Sequence, residues 1–137
     1  MKKVMNIAKI LFVISIASLM LTACGSPKVS DDHLRYGQKA LSIVDDYLNF
    51  NINAKEASEQ AKELKYREDS LPKVEIEDET YRNNFNIESS VRMINLYLSS
   101  LSLFNSEEDL KNLKIERNKI AEIIGEDLIE VSEADSQ

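Results

Sequence analysis
The chain has 137 residues with 17 basic and 24 acidic side chains, one histidine and one cysteine, and its formal charge is −7 at pH 7. That balance disfavours charge-driven binding to nucleic acid or to anionic lipid headgroups, and a lone cysteine excludes an intramolecular disulfide. Three glycines, two prolines and no tryptophan, among many Leu, Ile, Lys and Glu, point to helices rather than a turn-rich sandwich.

The first 23 residues differ from the rest. Lys2, Lys3 and Lys9 form a basic head without acids, residues 10–21 are an apolar run, and the small Thr22 and Ala23 precede Cys24. This is the layout of a secretory signal peptide, and a run of roughly a dozen residues is shorter than the ~20 a transmembrane helix needs. Leu21-Thr22-Ala23-Cys24 resembles the lipobox of bacterial lipoproteins. The resemblance covers only the leader. It implies a diacylglyceryl thioether on the Cys24 sulfur and cleavage between Ala23 and Cys24, with the new amino terminus open to N-acylation. Two acyl chains hold a protein to a bilayer where one is marginal, so the expected location is the extracytoplasmic face of the cell membrane. Residues 1–23 hold three of the basic residues and no acid, which leaves the chain beyond them with a formal charge of −10.

Residues 24–30 read as the lipidated cysteine and a short tether broken by Pro27. A first helix of about 18 residues is expected to start near Asp31 or Asp32, either of which can cap backbone N–H groups. Leu34, Leu41, Val44 and Leu48 give it an apolar face, widened by Ala40 and Tyr47. Three asparagines over residues 49–53 break the pattern, and Asn53 with Glu56 matches a capping box that starts a second helix at Ala54. Its inner face would be Ala54, Ala57, Ala61 and Leu64, and the short connection favours an antiparallel pair. Residues 67–78 are irregular around Pro72, with alternation at Val74, Glu75, Ile76 and Glu77 that suits one extended stretch. The third helix, from about Glu79 to Phe104, carries Ile87, Val91, Ile94, Leu98 and Leu101 on one stripe. Tyr97, Leu103 and Phe104 broaden that stripe, so this helix is expected at the centre of a bundle, covered on more than one side. Ser106 before Glu107, Glu108 and Asp109 starts a fourth helix, with Leu110, Leu113, Ile120 and Ile124 inward. Gly125 is a candidate stop, although Leu128 and Val131 continue the spacing. The expected fold is an all-α small bundle of three to four helices over residues 31–125, followed by an acidic tail over 126–137 whose last residues fray.

No catalytic constellation, cofactor motif or metal-ligand set stands out. His33 lies beside Asp31 and Asp32, but zinc usually takes three or four protein ligands, so a surface or capping role is expected for it. Asp45-Asp46, the acids from Glu75 to Glu79, and Glu107 to Asp109 lack the spacing of a calcium loop and read as solvated helix ends and faces. Tyr81, Phe85, Tyr97 and Phe104 either line a groove or belong to the core, and core is the commoner fate at helical spacing. The expected protein is a non-enzymatic, lipid-anchored interaction module that shows an acidic face to an envelope protein. The alternative is a lipoprotein that binds a peptide or small molecule between its helices, with residues 67–78 as a lid.

Overall fold
The computed structural model describes residues 27–64 and 78–131. The leader, Cys24, the stretch 74–77 and the last six residues lie outside them. The described chain forms four helices: α1, Asp31–Leu48; α2, Ala54–Glu63; α3, Glu79–Phe104; and α4, Glu107–Ile124. Among the described residues no helix is long and apolar enough to cross a membrane.

Each helix begins on a side chain that satisfies free backbone donors. The Asn53 and Glu56 box closes in both directions, with the Glu56 N–H 3.0 Å from Asn53 Oδ1 and the Asn53 N–H 3.1 Å from Glu56 Oε2. Asp78 accepts from the Thr80 N–H, and Ser106 accepts from the Asp109 N–H. For α1 the cap is Ser30, not Asp31 or Asp32. Ser30 keeps the extended backbone that a cap requires and accepts from the His33 N–H, while both aspartates fall inside the first turn, where their charge favours the positive end of the helix dipole.

The helix ends are equally definite. Gly125 takes the left-handed conformation at φ 78°, and the Glu126 N–H reaches back to the Ala121 carbonyl. This geometry ends a helix and suits glycine, which has no Cβ to clash. The helix therefore stops at Ile124, and Leu128 and Val131 do not prolong it.

The four helices run alternately up and down. Both α1 and α3 pack against the other three, while α2 and α4 lie on opposite sides and do not meet. The core takes Leu41, Ile43 and Val44 from α1, Ala57 and Ala61 from α2, and Leu113, Ile120 and Ile124 from α4, all closed around the α3 stripe of Ile87, Val91, Ile94, Leu98 and Leu101. The small residues of α2 let its backbone come close. Gly37 does the same for α1: a Cβ there would lie 3.1 Å from Ile120 Cγ2 and 3.6 Å from Ile87 Cγ2. At the other end of α3 an expectation fails. Leu103 and Phe104 are 75% and 76% exposed, because no described helix covers the side of α3 to which they belong.

Two flanking segments lie on the bundle. The Ser30 N–H donates to Asn84 Oδ1, and Asn83 Nδ2 donates to the Lys28 carbonyl, so residues 28–30 are fixed to the start of α3. After α4 the chain turns back along it, where Asn118 bonds both the N–H and the carbonyl of Ile129. Residues 126–131 thus form a strap bonded to α4.

Candidate docking face
His33 is not on the surface. It is 3% exposed, with Nε2 2.7 Å from Glu88 Oε1 on α3 and Nδ1 2.6 Å from Ser30 Oγ. A carboxylate only accepts, so Nε2 donates to Glu88, and Nδ1 shares the second hydrogen bond with the Ser30 hydroxyl. The inner stripe of α1 begins at His33 and continues through Gly37, Ala40, Leu41 and Val44. That periodicity was the signal available in the sequence, masked by the polarity of the residue. Serine, histidine and glutamate in a row resemble a hydrolytic relay. Here the hydroxyl is engaged as the α1 cap and the imidazole is enclosed, so the arrangement is a polar clamp between α1 and α3.

Four of the described carboxylates in the acidic clusters, Asp45, Asp46, Glu79 and Asp109, have structural partners. Arg117, nearly buried on α4, makes a two-pronged pair with Asp45 at 2.9 and 3.0 Å and donates to the Asp127 carbonyl. It joins α1, α4 and the strap. Asp46 accepts from Asn51, Asp109 from the Ser100 hydroxyl, and Glu79 from Lys28. No group of His, Cys, Asp or Glu among the described residues has the arrangement to hold a metal ion. The four aromatic candidates do not form a groove: Tyr97 packs against the core, Tyr81 is half-buried, and Phe85 and Phe104 are exposed.

What stands open instead is a line on the outer side of α3. Phe85 is 54% exposed, Leu96 58% and Leu103 75%. At 100° per residue the three fall within about 20° of one another, on the side opposite the buried stripe. Exposed Ser89 lies between Phe85 and Leu96, and exposed Arg82 and Arg92 flank the line on either side. Of the other charged groups of α3, Glu79 pairs with Lys28 and Glu88 with His33, and Arg92 itself has a partner within the chain. The outer face of α3 is therefore apolar and basic in a protein that is acidic overall.

A second apolar feature caps the end of the bundle where the α1–α2 and α3–α4 turns meet. The Phe50 N–H bonds to the Tyr47 carbonyl and the Asn51 N–H to the Asp46 carbonyl, a helix ending that places Phe50 in the left-handed region at φ 61°. Glycine usually fills this position. A phenylalanine there carries strain of order 1 kcal/mol, and its ring, 94% exposed, gains no burial in return. Tyr47 and Phe50 border two clefts. One, of about 340 Å³, is shared with Leu48, Leu110 and Ile129; the other reaches Asn105. Partial burial raises the Tyr47 phenol above its ordinary pKa.

No protein-family model matches the chain, and no curated protein or solved structure shows significant similarity to it.

Removing the donor that faces a buried carboxylate leaves that charge uncompensated. His33→Leu is therefore expected to destabilise by about 3–5 kcal/mol, and His33→Leu/Glu88→Leu to recover most of that loss, both read by urea unfolding. Phe50→Gly is expected to raise stability by about 1 kcal/mol in the same measurement, by relieving the left-handed strain.

Proposed function
We propose that this protein is a lipid-anchored docking module on the extracytoplasmic face of the cell membrane, attached through Cys24 and contacting an envelope protein through the outer face of α3. The observation that carries the docking half is the apolar line Phe85, Leu96 and Leu103. Scattered exposed hydrophobes need no explanation, but an aligned set rimmed by charge marks contact surfaces. The anchor half rests on the lipobox resemblance alone.

The two halves are geometrically compatible. Pro27 is only three residues beyond Cys24, and residues 28–30 are bonded to the start of α3. The anchored end of the bundle would then be the end with Phe85, and Leu103 and Phe50 would stand at the far end. A helix of 26 residues is about 39 Å long, so the docking line would extend well away from the bilayer.

The cleft beside Phe50 supports a second reading, capture of a peptide or small apolar molecule. Its volume of about 340 Å³ lies at the small end of ligand sites.

Two variants of the full chain test the proposal in cells. Cys24→Ala is expected to move the protein out of the detergent phase in Triton X-114 partitioning, and retention there would contradict the anchor. Leu96→Glu is expected to leave the far-ultraviolet circular dichroism unchanged while abolishing the crosslinked adduct that the wild-type protein gives. An adduct that survives Leu96→Glu would contradict the docking face.

A further inference from the structure
We infer that the groove between α1 and α4 is a binding site for an extended peptide of another protein, and that residues 126–131 of this chain occupy it as a displaceable competitor. The site is separate from the α3 docking face. It rests on the second reading above, the cleft beside Phe50, and names what that cleft takes.

The strap is held by its main chain. Arg117 donates to the Asp127 carbonyl, and Asn118 both accepts from the Ile129 N–H at 3.0 Å and donates to the Ile129 carbonyl at 2.7 Å. One side-chain amide meets the N–H and the carbonyl of the same residue where the two point the same way, as they do in a strand. Asn118 thus stands in for a neighbouring strand. Strand addition is a recurrent mode of peptide recognition, because every extended peptide offers the same main-chain groups. The groups that read them are fixed beforehand: Arg117 is 6% exposed and bonded to both oxygens of Asp45, with Nη1 3.4 Å from Asn118 Oδ1.

The groove is also larger than its present occupant. On one side of the strap a cleft of about 400 Å³ lies between Leu41, Ser42, Arg117 and Glu126. On the other, the cleft of about 340 Å³ lies between Leu48, Phe50, Leu110 and Ile129. Asp45 lines both, so they are two parts of one groove that the strap crosses. The strap fills it loosely, since Leu128 is 61% exposed and Ile129 and Val131 are half-buried. A segment with so few buried apolar contacts opens at low free-energy cost.

Charge narrows the ligand. Lys114 lines the cleft beside Glu130, and the remaining charged group there, Asp45, is paired with Arg117. An aliphatic or aromatic residue followed by an acid matches this site, as Ile129 and Glu130 do. The side chains of Glu126, Asp127 and Leu128 are exposed, so sequence at the corresponding positions of the ligand counts for little. A second copy exchanging straps would form the same bonds and gain no new contact, while each copy's own strap has the advantage of effective concentration.

The test uses the full-length protein purified from membranes in mild detergent and a fluorescein-labelled peptide with the sequence of residues 126–131, read by fluorescence anisotropy. Ile129→Asp in the protein frees the groove and is expected to tighten peptide binding about tenfold over wild type, the factor for a strap seated about nine-tenths of the time. In that background Asn118→Ala should abolish binding, and Leu96→Glu on α3 should leave it unchanged. A peptide with alanine in place of Glu126, Asp127 and Leu128 should bind within about threefold of its parent, whereas Ile129→Asp in the peptide should abolish binding. In the wild-type protein, excess unlabelled peptide should speed hydrogen exchange at the Ile129 amide, a readout that needs no substitution. Binding that survives Asn118→Ala, that is equally tight to the wild-type and Ile129→Asp proteins, or that is lost with the alanine peptide would overturn the inference. So would unchanged exchange at Ile129, or a wild-type dimer in analytical ultracentrifugation that Ile129→Asp dissolves. If no peptide bound but indole raised the melting temperature of the wild-type protein and not of Leu110→Glu, the peptide ligand would fall and the cleft would stand as an apolar site.

Discussion
The structure depends on one asymmetric burial. A single stripe of α3, from Ile87 to Leu101, is closed off from water by the other three helices. Each large aliphatic side chain buried there contributes on the order of 1.5–3 kcal/mol. Three neighbours cover that stripe and the flanks beside it, but a cylinder has another side. With α2 and α4 on opposite flanks and α1 beneath, the line of Phe85, Leu96 and Leu103 meets none of the other described helices. The same packing that makes the core thus leaves α3 with an apolar edge.

Polar contacts add definition that the aliphatic core does not supply. Apolar contacts are non-directional, whereas the bonds from His33 to Glu88 and from Arg117 to both oxygens of Asp45 require a defined distance and angle. These pairs set α1 against α3 and α1 against α4. Whether they add net stability is a separate matter, since desolvation offsets much of a buried pair's attraction. Both pairs also hold the flanking segments: Ser30 leads into the histidine, and the strap carbonyl of Asp127 closes on the arginine. The ends of the bundle are therefore coupled to its interior by hydrogen bonds, with Val29 also packed against the core.

Much of the fold was legible because its signals are local. The Asn53 and Glu56 box, the Ser106 cap followed by three acids, and the spacing from Ile87 to Leu101 each need only a few consecutive residues, and each matches the structure. What could not be read depends on neighbours distant in sequence. Periodicity says that α3 has an inner side, but not that the other described helices leave its outer side uncovered, so it extends the inner stripe to Leu103 and Phe104. His33 follows the inner spacing of α1, yet burying it requires Glu88, 55 residues away. The choice of Ser30 over two adjacent aspartates turned on which residue keeps an extended backbone. Phe50 in a glycine position had no sequence signal. For the candidate site the division is sharper: Cys24 is visible only as a motif, whereas the α3 face emerges only once the bundle is assembled.

The central claim is that the outer line of α3 is covered by another protein in the cell. The most direct measurement places the photoreactive residue p-benzoylphenylalanine at position 96, and in a control at exposed position 38 of α1, in the full chain expressed in its own host. After irradiation of intact cells, the account predicts a discrete higher-mass adduct from position 96 and none from position 38. Equal labelling at both positions, or no adduct at position 96, would contradict it.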